Sequence, residues 1–368
     1  MTDHRRAFLE QIRQGGVSLS PELAAAFGTV RREAFVPDGF QRRDGTWATP
    51  ADPDFLATVY RDDVLVTKVD GRVPVSSSSQ PSLMAIMIEA LRVRPGQRIL
   101  EIGAGTGYNA ALLASLGATI TSIDVQQDVA DRARSALARA GIAGVRVEHS
   151  DGYAGRPGER FDRIIVTVGI AGLSPHWLSQ LEPAGLVIAP VDHAGTHPVL
   201  AVHGTPTGPV TAAVVCPSGF MTAAGPLTAD YPGAHPPPAA AGDLTDFTPT
   251  GPPRFDPPLE PIAYRDLWYA AGAWSRRATH AAASRRDREQ SCLALLDEPL
   301  TGGALILPDG SVLTAGPEAD AYATEAATIL DRWLAAGRPP MQAWRVGLAL
   351  TGDPQSPIWV PATWELPR

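Results

Sequence analysis

Residues 98–107 read RILEIGAGTG, and YNAALLASL follows directly from position 108. An apolar run closing on glutamate, a loop with glycine at 103, 105 and 107, and a helix-like run predict strand, turn and helix in that order. Glycines in that context let the backbone come close to a ligand. A dinucleotide fingerprint would put a further glycine at position 108, where Tyr108 stands.

Outward from this stretch, the region from about 95 to 226 keeps alternating: RILEIG, YNAALLASLG, TITSID, QDVADRARSALARAG, VRVEHS, FDRIIVTV, SPHWLSQL, GLVIAPV. That alternation predicts βαβ units and so an α/β fold with a parallel, Rossmann-like sheet. PVLAVHG and PVTAAVVCPSGF predict two closing antiparallel strands. Asp124 ends TITSID and Asp151 ends VEHSD, so acids close three successive strands. Such residues face the crevice where open α/β sheets bind ligands. The set fits S-adenosylmethionine better than a nicotinamide dinucleotide. Asp124 would take the ribose hydroxyls, Asp151 would sit at the adenine and Glu101 near the methionine end, with Gly103, Gly105, Thr106, Gly107, Val125 and Gly152 in the same loops. The plainer alternative makes Asp124 and Asp151 turn residues at strand ends.

Composition narrows the rest. With 368 residues, 44% hydrophobic and 19% charged, the chain can form about two ordinary domains. A net charge of -8 leaves no electrostatic footprint for nucleic acid. Cys216 and Cys292 have no metal-ligand spacing, so no metal site is expected. No apolar run is long enough to span a bilayer and the N-terminus lacks a signal-peptide core, so no membrane association and a cytoplasmic location are expected. Lys68 is the only lysine.

Residues 1–226 are expected to form the catalytic domain, and the proline-crowded residues 227–261 a linker or strap. Residues 262–368 read as a separate α+β module: a helical stretch over 262–290, a hairpin turning at Pro308, Asp309 and Gly310, a helix over about 317–336 and two final strands. In the first stretch Arg265, Arg276, Arg277, Arg285, Arg286 and Arg288 outnumber Asp266, Asp287 and Glu289, which suits an acidic peptide or simply a solvated helix face. Tyr264, Trp268 and Trp274 read as peptide contacts or as core.

SSSQPSLMAIMIEAL, ILEIGAGTGYNAALLA, SID, HSDG, FDRIIVTV and LEPAGLVIAPV occur in the order that resembles the protein-L-isoaspartate O-methyltransferase family, with VRREAFVP and VYRDD upstream. The resemblance covers residues 1 to about 225 and implies S-adenosylmethionine as cofactor, with Ser79, beside Ser78, as the active-site hydroxyl. The added C-terminal part, the long TKVDGRVPVSSSSQP segment and VTVGIAG resemble the variant enzymes that accompany ATP-grasp peptide maturases. That resemblance implies methylation of an Asp side chain in a macrocyclised ribosomal precursor peptide, leading to aspartimide or isoaspartate, with an ATP-grasp ligase as a pathway partner. The alternatives are an isoaspartate repair enzyme with an accessory domain and a non-catalytic peptide-binding protein.

The serines have a physical rationale in such a reaction. A carboxylate is already a nucleophile at neutral pH and needs no base. Opposite charges cancel as a methyl passes from a sulfonium to a carboxylate, so a cation on the carboxylate would favour the ground state over the transition state. A neutral hydroxyl orients the oxygen without that cost. The alternative for Ser79 is an N-cap on the helix that begins near Pro81, with Ser76 and Ser77 as loop.

Overall fold

A computed structural model of the chain describes residues 3–205, 208–239, 247–285, 288–297 and 301–367. Helices α1 (Asp3–Gln14) and α2 (Pro21–Thr29) precede a small sheet of β1 (Phe40–Gln41), β2 (Trp47–Ala48), β3 (Leu65–Asp70) and β4 (Val73–Ser78), with α3 (Phe55–Val59) in the β2–β3 connection. Helix α4 (Pro81–Leu91) leads into the alternating region: β5 (Arg98–Ile102), α5 (Tyr108–Ser115), β6 (Thr119–Asp124), α6 (Gln127–Arg139), β7 (Val145–His149), β8 (Phe161–Val166), α7 (Pro175–Gln180) and β9 (Leu181–Pro190). Strands β10 (Val199–His203) and β11 (Val210–Cys216) close it. After them come β12 (Thr248–Pro249), α8 (Pro261–Trp274), β13 (Ala278–Arg285), β14 (Arg288–Leu296), β15 (Gly303–Ile306), β16 (Val312–Ala315), α9 (Ala319–Ala335), β17 (Arg345–Thr351) and β18 (Ile358–Glu365).

The central sheet has the order β18-β17-β11-β10-β9-β8-β5-β6-β7. Pairing is parallel from β9 through β7 and antiparallel from β9 outward to β18. The chain runs outward from β5 to β7 and then returns to the other flank of β5 with β8, which opens a crevice at the C-terminal ends of β5 and β8. Helix α6 shows how sequence sets the layers: Val129, Ala130, Ala133, Ala136 and Leu137 form one buried stripe while its arginines face out.

The C-terminal part departs from the expected separate module. Strands β17 and β18 extend the central sheet past β11, in register Val210 to Leu348 through Ala213 to Arg345. One core runs through both parts, joining Tyr153, Leu173 and Trp177 to Leu267, Trp268, Trp344, Ile358 and Val360. A second, antiparallel sheet of order β12-β16-β15-β14-β13 lies with α8 and α9, and Pro308–Gly310 turns its β15–β16 hairpin. The stretch 262–290 is not one helix: it breaks at Ser275, and Ala278–Arg285 pairs with Arg288–Leu296. Arg276 and Arg277 therefore lie between helix and strand, whereas Arg286 and Asp287 fall outside the described residues. Tyr264 and Trp268 are core. The proline-rich strap lies docked, with Tyr231, Ala239 and Phe255 buried and Thr248–Pro249 added as an edge strand to β16.

Candidate active site

A cavity of about 580 Å³ opens at the C-terminal ends of β5, β6 and β8. The glycine loop, Asp124 to Gln126, Asp151 and Gly152 form its floor and one side, the hairpin strand β4 and Ser79 its roof, and Phe220 to Ala224 the far wall. Among the described residues that line it, none is Lys or Arg.

Gly105 has φ +51, and a Cβ there would come within 3.0 Å of the Ser77 carbonyl oxygen, so roof and floor approach closely at a residue without a side chain. Gly107, at φ +82, starts α5 and faces Ala133 and Leu137 of α6 rather than the cavity. Asp124 is held upright by its own turn: Gln126 N donates to Oδ1 at 2.9 Å and Gly105 N to Oδ2 at 3.1 Å. Burial raises its pKa, and these N–H donors pull it back. Each carboxylate oxygen keeps lone-pair capacity toward the cavity. Asp151 Oδ1 accepts from Tyr153 N at 2.9 Å. Gly152 sits so close to Ile102 that a Cβ would meet its Cγ2 at 2.7 Å.

Glu101 differs from expectation: it is fully buried beneath the loop and does not line the cavity. Asn109 Nδ2 donates to its Oε1 at 2.6 Å and Ser122 Oγ to its Oε2 at 2.5 Å. Burial pushes its pKa up to about 7 against those two donors, with nearby Asp124 adding to the rise. Asn109 itself lines the cavity, so the acid acts through the amide it holds.

Ser78 and Ser79 both reach the cavity. Ser78 Oγ is shielded from solvent and has no protein partner, whereas Ser79 is half-buried. Ser79 does not cap α4: Gln80 occupies the N-cap position without a side-chain bond, and Asp62 Oδ1 accepts from Ser82 N at 2.8 Å instead. The serine segment is fixed from behind by Arg32, a fully buried guanidinium. Its Nη1 donates to the carbonyls of Val59 at 2.9 Å and Arg61 at 3.0 Å, and its Nη2 to those of Asp63 at 2.9 Å and Ser79 at 3.0 Å. Burial lowers its pKa to about 10. Lys68 Nζ binds Gln126 Oε1 and Asp128 Oδ1, each at 2.8 Å, and Gln126 Nε2 donates to Val75 O at 2.9 Å, so the β3–β4 hairpin is latched onto the start of α6.

The structure thus brings Gly103, Gly105, Thr106, Asp124, Val125, Asp151, Gly152, Ser78 and Ser79 to one cavity and leaves Glu101 and Gly107 behind it. Asn109, Gln126, Arg32 and the 220–224 wall escape the sequence reading. VRREAFVP and SIDVQ contain two of these residues, with nothing local to mark their roles.

A carboxylate with free lone pairs at the end of β6, a second acid at the end of β7, a glycine floor without Cβ atoms and apolar sides from Ile102, Ile123 and Val125 fit a nucleoside carrying a short charged tail. Fold and site define a class I S-adenosylmethionine-dependent methyltransferase. A model of the family "Protein-L-isoaspartate(D-aspartate) O-methyltransferase (PCMT)" matches residues 3–224, and the chain belongs to that family of carboxyl O-methyltransferases. It is 38% identical over 206 residues to the protein-L-isoaspartate O-methyltransferase of Methylorubrum populi, covering 54% of this chain and 85% of that one. To the protein of that name from Gloeobacter violaceus it is 33% identical over 230 residues, 61% of this chain and 98% of the other. A solved structure described as a protein-L-isoaspartate O-methyltransferase superposes with TM-score 0.54 at 24% identity, covering 98% of this chain and 99% of that one. That likeness in fold extends over the C-terminal part.

Proposed function

We propose that the protein transfers a methyl group to the free carboxylate of L-isoaspartyl residues in peptides and proteins. The observation that carries this reading is an acceptor end lined by Ser78 and Ser79 with, among the described residues, no Lys or Arg, beside residues suited to the cofactor. Family membership supplies the acceptor class. Bound S-adenosylmethionine supplies an electrophilic methyl on a sulfonium.

The chain's own residues do the rest. Asp124 and the glycine floor hold the nucleoside. Ser78 and Ser79 donate to the acceptor carboxylate and aim one oxygen at the methyl. The β3–β4 hairpin and the 220–224 wall exclude water. No group has to take a proton, because the acceptor is already ionised.

A second reading, methylation of an Asp side chain in a macrocyclised precursor peptide made by an ATP-grasp ligase, draws on the long β3–β4 hairpin that roofs the cavity. Mass spectrometry separates the two. The protein is incubated with S-adenosylmethionine and an isoaspartyl peptide, its aspartyl parent, or a macrocyclised Asp-rich peptide. Methyl gain on the isoaspartyl peptide alone supports the first reading; gain on the macrocycle alone replaces it with the second.

A further inference from the structure

Among the described residues none beyond 227 lines the cofactor cavity, yet its adenine end is tied to the far end of the chain. Tyr153 is the tie. It is buried, it does not line the cavity, and it follows directly on Asp151 and Gly152, which do. Its backbone N–H donates to Asp151 Oδ1 at 2.9 Å, fixing which way that carboxylate turns. Its phenol donates to the carbonyl of Pro357 at 2.8 Å, in the turn between β17 and β18. That turn is itself anchored: Leu173 and Trp359 exchange backbone bonds of 2.9 and 2.8 Å, and the contact is so close that a Cβ on Gly172 would meet Trp359 O at 2.7 Å. Trp177 Nε1 completes the clamp by donating to Gly152 O at 2.8 Å.

We infer that Tyr153 is a positioning residue for cofactor recognition, through which the C-terminal hairpin sets Asp151 against the adenine. This rests on the reading of the cavity as a cofactor site and adds the part that selects its base. Without the phenol, the direct bond from the Asp151 turn to the hairpin is lost, only Trp177 and the Tyr153 backbone N–H still hold that turn, and Asp151 turns over a wider range. An acceptor fixed at the 6-amino group of adenine then discriminates less against a base that carries a carbonyl there, because an oxygen facing a carboxylate leaves both unpaired. The acceptor side, built from β4 and residues 220–224, has no part in this contact.

The test uses the full chain, with S-adenosylhomocysteine and S-inosylhomocysteine titrated by calorimetry into wild type, Tyr153→Phe, Pro357→Gly and the double variant. Tyr153→Phe keeps the ring in its packing and removes one hydroxyl. It is expected to bind the adenosyl ligand about fivefold more weakly, the cost of ordering a loosened Asp151 side chain on binding, and to change the inosyl ligand less. The isoaspartyl-peptide KM should stay at the wild-type value. Pro357→Gly, which loosens the turn, should shift the adenosyl-to-inosyl ratio the same way and add little in the Tyr153→Phe background. An unchanged ratio in Tyr153→Phe overturns the inference, as does equal weakening of both ligands, which would make the contact merely structural. A wild-type chain that binds neither ligand overturns the cofactor reading, and the inference with it.

Discussion

Arg32 is a buried cation whose charge is met by backbone carbonyls, and among the described residues no carboxylate pairs with it. Replacing it by methionine would leave the buried Val59 carbonyl unpaired at about 1–3 kcal/mol and the three partly buried carbonyls unpaired at less. Arg32→Met is therefore expected to lower the melting temperature sharply, with Arg32→Lys recovering part, as followed by calorimetric scans. Ser78→Ala and Ser79→Ala act differently: each should cut kcat/KM for an isoaspartyl peptide by roughly 10–100-fold, the usual cost of a lost orienting donor, while S-adenosylhomocysteine affinity holds. Glu101 gives a pH signature. Its carboxyl is raised from 4.5 to about 7, so the folded chain keeps a proton that the unfolded chain loses between those values. Its contribution to stability falls as pH climbs through that window and is flat above it. A cofactor carrying positive charge favours the ionised form, so binding should tighten from pH 6 to pH 8, and the slope should flatten in Glu101→Gln; titration calorimetry at both pH values checks this. Asp124, Asp151, Gly103 and Gly105 were legible as cavity residues because they lie at strand ends or in the turns that follow, whereas the same pattern misplaced Glu101 and Gly107, which lie behind the cavity. Arg32 was not, because its partners are carbonyls from loops up to 47 positions away.

Among the elements, the β3–β4 hairpin matters most, since it roofs the cavity and its latch runs through Gln126, whose own backbone N–H holds Asp124. Asp124 and the roof are thus joined by one residue. Lys68→Met combined with Gln126→Ala should speed release of S-adenosylhomocysteine about fivefold or more, the worth of a partly exposed ion pair and one hydrogen bond, as stopped-flow displacement would show. An unchanged release rate would mean that the roof does not gate exchange. Elements of the alternating region follow from their own periodicity. The segment ATHAAASRRDREQ does not, because alanines and arginines favour helix in isolation while pairing of β13 with β14 imposes strands.

For the molecule as a whole, the decisive fact is that β17 and β18 complete the sheet begun by β5. The pairing joins residues more than a hundred positions apart, and no local pattern encodes such a partner. A chain cut after residue 226 would leave β11 as an open edge and uncover Leu173 and Trp177 of the shared core. It is expected to aggregate on size-exclusion chromatography, where a monomeric, cofactor-binding fragment would contradict the shared core. The latch carries one more implication. Lys68 is the only lysine in the sequence, and its amine is occupied whenever the roof is down. Apart from the chain terminus, an amine-acylating reagent has a single lysine to tag, so the protein comes with its own site-specific reporter: Lys68 should be tagged faster when its latch to Gln126 and Asp128 is open, with no mutation or dye engineered in.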